Sequence, residues 1–277
     1  MIRTNYHTHT QFCDGKNTAE EMVLAAIKND IKILGFSSHA MLPFSDDWHI
    51  PAKEYGTYTA EIDRLKEKYA DQIKIYRGFE ADFINGFTEP TFENYSEHKP
   101  DYLIGSVHFV PGKEGYYEAD GKEEGVDSAI EKYFNGSVKK AVQEYFWCER
   151  QMVRKCDFTF MGHPDVVKKQ NVKRNFFDEN EGWYKKELKA LVSEIVKAGV
   201  CVELNTGSML RVGAKEPYPS LYLLDLLIEK KVPLTINSDA HTTNGICWWF
   251  DEALAYIKKA GCTELAFYED GLKFQKI

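Results

Sequence analysis

Along the chain, short and nearly continuous apolar runs alternate with longer segments whose apolar residues recur every three or four positions. The runs read as strands: one ending at Tyr6, then Ile33–Ser37, Ile73–Phe79, Tyr102–Val107, Phe158–Met161, Val200–Leu204 and Pro233–Asn237, with a last short run at Glu264–Tyr268. Between them the spacing predicts helices over Thr18–Asn29, Lys53–Tyr69, Val138–Lys155, Trp183–Ala198, Ser220–Lys230 and Trp249–Ala260. Asn17 or Thr18 announces the first helix as its N-cap, with Glu20 and Glu21 in the first turn. Strands without polar alternation, separated by amphipathic helices, demand parallel pairing and right-handed crossovers. A closed or nearly closed α/β barrel is the economical solution. The rhythm breaks once, at 110–137, a long polar and aromatic stretch beside the fourth strand. Long loops next to a site tend to be functional, and this one is predicted to belong to a substrate lid. No repeat, low-complexity tract or Pro/Gly/Ser linker interrupts the pattern, so residues 1–277 read as one domain.

Composition narrows the function. The chain has 277 residues, 43% hydrophobic and 28% charged, enough for one large core. Its net charge of -8 argues against tracking a nucleic-acid backbone, which needs clustered Lys and Arg. Segments such as EIDRLKEKY interleave both signs, as solvated helix faces do. No stretch approaches the roughly 20 apolar residues of a membrane span. The opening MIRTNYHTHT lacks the apolar core of a signal peptide, so a cytoplasmic enzyme is expected. Six cysteines without a CxxC pair read as free thiols, Cys13 among them as a small loop filler. No heptad or exposed apolar run points to an oligomer interface.

The histidines carry the chemistry. Six of the eight follow apolar runs: His7 and His9 after RTNY, His39 after KILGFSS, His108 after DYLIGSV, His163 after FTFMG and His241 after PLTINSDA. Carboxylates join them, with Asp14 after the first pair, Glu80 ending IKIYRGF, and Asp239 two residues before His241. Strand C-termini in a barrel deliver side chains into one shared site. Imidazoles and carboxylates without cysteine suit zinc, iron or manganese at a hydrolytic, multinuclear centre.

In order, the segments HTHTQFCDG, SSHA, GFEADF, GSVHF, GHPD and INSDAH resemble the motifs of the polymerase and histidinol phosphatase (PHP) superfamily, from residue 7 to 241. Length, the FCDG continuation and GFEADF resemble its stand-alone histidinol-phosphate phosphatases. The resemblance implies a distorted (β/α)7 TIM-like barrel and three divalent metal ions. His7, His9, Glu80 and Asp239 would hold the first, Glu80 would bridge to a second held by His108 and His163, and Asp14, His39 and His241 would hold the third. Asp14 stands where some members carry a histidine. The implied reaction is hydrolysis of L-histidinol phosphate to L-histidinol and inorganic phosphate, a step of histidine biosynthesis. Phosphate monoesters are among the slowest substrates to hydrolyse, with enzymatic accelerations reaching ~10^21-fold. Two metals about 3.5–4 Å apart can share a hydroxide nucleophile. Glu80 would fix their spacing, and Asp239 or a metal-bound water is the candidate proton donor to the leaving group.

Phosphate recognition calls for a fixed guanidinium or placed donors. Arg211, in the ELNTGSMLR loop after the sixth strand, is the first candidate; Lys168 and Lys169 are weaker ones, and Asn205 and Ser208 could be neutral donors. For a histidinol moiety with its amine and imidazole, Tyr116, Tyr117, Glu118 and Asp120 in the lid are available. His49 is placed equally well facing substrate or packing, and His98 is expected on the opposite, stabilising end of the barrel. Asp82 and Asp165 are candidates to orient ligand imidazoles, Asp165 equally to cap a helix. The alternatives are another small-molecule phosphoesterase of the superfamily, a carbon–nitrogen hydrolase on a metal-containing barrel, and a non-catalytic metal-binding regulator.

Overall fold

The computed structural model describes residues 1–42, 44, 47–113 and 115–277. In chain order its strands are β1 (Thr4–Asn5), β2 (Ile33–Phe36), β3 (Lys74–Asp82), β4 (Tyr102–Ser106), β5 (Phe109–Gly112), β6 (Gly115–Glu118), β7 (Phe160–Met161), β8 (Cys201–Asn205), β9 (Leu234–Asn237), β10 (Glu264–Tyr268) and β11 (Leu272–Lys276). The helices are α1 (Ala19–Lys28), α2 (Tyr55–Lys68), α3 (Glu123–Phe134), α4 (Val138–Lys155), α5 (Gly182–Ala198), α6 (Gly207–Arg211), α7 (Leu221–Glu229) and α8 (Phe250–Lys259). Thr18 caps α1 as expected: its hydroxyl accepts from the Glu21 amide, and the Glu21 carboxylate reaches back to the Thr18 amide.

Seven strands form one parallel sheet in the order β1-β2-β3-β4-β7-β8-β9. The edges meet through a parallel bridge between Thr8 and Ala240, with His9 N donating to Ala240 O at 2.9 Å and Ala240 N to His7 O at 3.0 Å. Below that bridge two side-chain amides take over from the main chain. Tyr6 N donates to Asn237 Oδ1 at 2.8 Å, and Ser238 N to Asn5 Oδ1 at 3.1 Å. The result is the distorted seven-stranded TIM-like barrel anticipated above.

Inside the barrel, Tyr6, Ile33, Tyr76, Tyr102, Ile104 and Phe160 pack as one buried cluster. Tyr102 demands bare backbone beside it: a Cβ on Gly35 would fall 2.4 Å from its hydroxyl, and one on Gly78 2.5 Å from its carbonyl. The β10–β11 hairpin closes one end, where Tyr6 Oη donates to Tyr268 O at 2.8 Å. The larger cluster lies between the strands and the helices, built from residues such as Met22, Leu65, Phe146, Leu188 and Leu224.

Three expected boundaries shift. The Lys53–Tyr69 helix begins as a 3-10 turn, Ala52–Glu54, and is α-helical only from Tyr55. The fifth barrel strand is shorter than Phe158–Met161, because only Phe160 and Met161 pair with both neighbours. The stretch expected as a lid loop is largely ordered, folding as the antiparallel β5–β6 hairpin and then α3; Glu114, within it, lies outside the described residues. Its hydrophobic spacing is hidden by charge, and α3 is held down by buried Val126 and Ile130 with partly buried Ala129 and Phe134.

Candidate metal centre

Each of the nine residues singled out from the sequence as metal ligands lies at the C-terminal end of a barrel strand or in the loop following it, and the structure draws all nine together. Glu80, at 1% exposure on β3, is the hub. Its Oε2 lies 3.0 Å from His7 Nε2, 3.4 Å from His9 Nε2 and 3.1 Å from His39 Nδ1. Its Oε1 lies 2.8 Å from His163 Nε2 and 3.6 Å from His108 Nε2, and accepts from Ser106 Oγ at 2.7 Å. Asp239 Oδ1 approaches His9 Nε2 at 3.2 Å, and Asp14 Oδ2 approaches His241 Nε2 at 3.0 Å. Asp239 is held in left-handed backbone (φ 48°), strain of the kind that collects at functional sites. Gly15 lets the FCDG turn fold back on the first motif, since a Cβ there would meet Thr10 N at 2.4 Å.

The donor set fits divalent cations. His7 Nε2, His9 Nε2, His39 Nδ1 and Glu80 Oε2 are buried without a hydrogen-bond partner, and a fully buried polar atom left so is costly unless something else binds it. Ligand atoms within coordinating reach of one another form the groups His7/His9/Asp239, His7/Glu80/His163, His39/Glu80/His108 and His9/Asp14/His39/His241. The partition differs from that implied by resemblance. His108 and His163 fall into separate groups although both approach Glu80 Oε1, and His39 belongs both with Glu80 and with Asp14.

Electrostatics follow from this crowding. Burial would lower the His7 pKa, but Glu203, Glu80 and Asp239 raise it to about 10; His108 likewise rises to about 10 against burial, through Asp82 and Glu80. Burial keeps His39 well below the imidazole range, and burial, Arg211 and His9 bring His241 down to about 4. Glu80 and Asp239, despite burial, are held well below the carboxylate range, Glu80 by His7, His39 and His108 and Asp239 by Arg211 and His7. Asp239 is therefore ionised near neutrality and unsuited to donate a proton, a correction to its candidacy as the general acid.

Behind the ligands stands a second layer. Glu203, which the sequence reading missed, presents both oxygens to His7 Nδ1 at 3.0 and 2.9 Å and accepts from His163 N, Asn205 Nδ2 and Asn237 Nδ2. The signal was present: a glutamate inside the buried run CVELN must find partners. Asp82, as expected, contacts His108 Nδ1 at 2.9 Å through one oxygen, and with the other it contacts His49 Nε2 at 3.0 Å. His49 is thus drawn to the second layer. Cys13 Sγ lies 3.5 Å from His9 Nδ1, closer to the centre than a loop filler needs to be. Asp165 makes no side-chain cap; it accepts from Ser220 N at 2.8 Å. His98 packs on Tyr55, outside the cluster.

A cavity of about 800 Å³ opens over the ligands, walled by Trp48, Glu118, Asp120, Lys169, Gln170 and Arg211 among others. Arg211 Nη2 donates to Asp239 Oδ2 at 2.6 Å and its Nη1 lies 2.8 Å from His241 Nδ1. Of the other anticipated phosphate-binding residues, only Lys169 reaches the cavity wall. Lys168 is buried and paired with Glu216 and Glu179, while its neighbour Lys169 reaches the cavity and pairs with Asp120 at 2.8 Å. Which of the two turns inward is set by the 3-10 segment Val166–Asn171. Asn205 is fully buried and spends its amide on Glu203 and Asp239, and Ser208 is buried and absent from the cavity wall. Tyr117 bonds Ala141 O instead of facing the cavity.

A barrel with this histidine–carboxylate cluster at one end defines a metal-dependent hydrolase scaffold, and the chain belongs to the PHP domain family, whose model matches residues 5–207. Among its relatives is the histidinol-phosphatase of Bacillus subtilis (strain 168), 26% identical over an alignment of 274 positions that covers 92% of this chain and 99% of the relative. The crystal structure of histidinol phosphate phosphatase from Lactococcus lactis, complexed with zinc, L-histidinol and phosphate, shares its fold with a TM-score of 0.72 at 23% identity over 98% of both chains. A chain from Listeria monocytogenes matches at TM-score 0.79 and 22% identity, over 90% of this chain and 99% of that one. Among the described residues no helix is long and apolar enough to cross a membrane.

Proposed function

We propose that the protein is a histidinol-phosphate phosphatase that hydrolyses L-histidinol phosphate to L-histidinol and inorganic phosphate, acting in the cytoplasm. The observation that carries the reading is the clustering of nine ligand side chains, seven of which line one cavity together with Arg211. The relatives' shared name and the zinc, L-histidinol and phosphate of the Lactococcus structure support it.

His7, His9, Asp14, His39, Glu80, His108, His163, Asp239 and His241 would hold three divalent cations, zinc, iron or manganese by donor type. Such cations supply Lewis acidity toward phosphoryl oxygens and lower the pKa of water. Glu80, with an oxygen facing each histidine group, keeps the ligand sets at fixed separation. The Arg211 guanidinium, anchored on Asp239 and His241, presents its remaining donors to the phosphate oxygens. Glu118 and Asp120 on the rim suit an ammonium and an imidazole leaving with the alcohol, and Trp48 covers the centre beside His39 and excludes water.

The test is steady-state phosphate release from L-histidinol phosphate against a panel of nucleotide and sugar phosphates and an amide substrate, with metal content measured on the same preparation. The expected kcat/KM for L-histidinol phosphate exceeds every competitor by orders of magnitude. Flat, weak activity across the panel would discard the substrate while keeping the metal centre.

A further inference from the structure

The chain has a second cavity, of about 730 Å³, outside the metal centre. Residues 166–175 wall both: Val166, Lys169 and Gln170 face the metal cavity, Asn171 and Asn175 the second. Its volume is that of a small-ligand pocket, roughly 300–1,000 Å³.

Two observations there point to a ligand. The first is Tyr184, on α5, a lining residue only 1% exposed, whose buried hydroxyl has no hydrogen-bond partner. Burying a hydroxyl unpaired costs free energy that a bound acceptor would recover. The second is charge. Asp178, Glu179 and Glu216 line the cavity against one lining cation, Lys185, whose ammonium sits 5.4 Å from the Tyr222 ring centroid. Lys168 pairs with Glu216 and Glu179 from behind, and the wall remains net negative. The rings of Phe177 and Tyr222 complete an amphipathic lining.

We propose that this cavity is a second small-molecule site, for an aromatic primary amine that also carries a hydrogen-bond acceptor. The ammonium meets Glu179 and Glu216, the ring lies against Phe177 and Tyr222, and the acceptor takes the Tyr184 hydroxyl proton in a hydrogen bond. This assignment holds whichever phosphate ester the metal centre hydrolyses.

Calorimetric titration of the metal-loaded chain with L-phenylalaninol tests it, with 3-phenyl-1-propanol lacking the ammonium and 2-phenylethylamine lacking the acceptor. L-Phenylalaninol is expected to bind more tightly than either control. Tyr184→Phe, which keeps the ring and leaves basal phosphate release unchanged, is expected to weaken it about tenfold, the worth of one hydrogen bond. Glu216→Gln is expected to weaken it similarly. Absence of binding to the wild-type chain overturns the proposal, and so does equal affinity in both variants, which would place the amino alcohol at the metal centre.

Discussion

Glu203 stands directly behind His7, with both carboxylate oxygens within 3.0 Å of Nδ1, so that the imidazole donates there and directs Nε2 toward Glu80 and Asp239. Every other partner of Glu203, the His163 amide and the side-chain amides of Asn205 and Asn237, is also a donor. In Glu203→Gln an NH2 group would have to face one of these donors however it is turned. Metal affinity or phosphate release should fall about 10- to 100-fold, the usual effect of losing such an orienting carboxylate, read by chelator competition and steady-state kinetics.

Glu80 has a different part, because it touches five histidines at once. Glu80→Gln should reduce kcat by more than about a thousandfold, several kcal/mol of transition-state stabilisation, and lower the metal content of the purified protein. Full metal occupancy with wild-type kcat would remove Glu80 from the centre.

Arg211 offers a planar fork where a lysine would offer a point charge. Arg211→Lys should lower kcat/KM about a hundredfold, the worth of two charge-assisted hydrogen bonds, with far less effect on metal content. Kinetics and metal analysis on one preparation separate the two roles.

The histidines make stability and metal loading respond oppositely to alkali. In the metal-free protein His7 and His108 have pKa values raised to about 10, so their protonated forms stabilise the fold fully below about pH 6.5 and that contribution is lost as pH rises through about 10. His241, brought down to about 4, stays neutral over this window and adds nothing to the slope. The chelated protein should melt at progressively lower temperature between about pH 7 and 10. Metal binding must expel these protons and that of His9, whose pKa, against burial, is likewise held well above the imidazole range by Asp239, Cys13 and Glu80, so apparent affinity should rise steeply with pH over the same range. A metal-free melting temperature independent of pH there would contradict the arrangement.

Much of this was legible in the chain because a barrel strand buried on both faces writes itself as an unbroken apolar run, and a polar residue just beyond it lies at the mouth of the barrel. His39, His108 and His163 all occupy such places. Glu203 escaped because it sits within a strand, where the same chemistry is masked by apolar neighbours. The choice between Lys168 and Lys169 depends on the turn of a 3-10 segment, which residue type does not encode. Asn205 ends β8 and Ser208 lies in α6, where the sequence alone read a loop, and both serve the protein's interior, since position along the chain says nothing about which way a short side chain points. The hairpin and helix of the lid were hidden because surface charge outnumbers the few apolar contacts that hold them down.

The seam of the barrel joins residues 231 positions apart, from Tyr6 to Asn237, and Asp239 follows just beyond. During synthesis His7 and His9 leave the ribosome long before Asp239 and His241, which lie on the far side of that seam. Over that interval the two imidazoles have Glu80 beside them but lack Asp239. Cofactor capture is thereby a late event, and a chain broken off before its seventh barrel strand would lack the very groups that complete the centre.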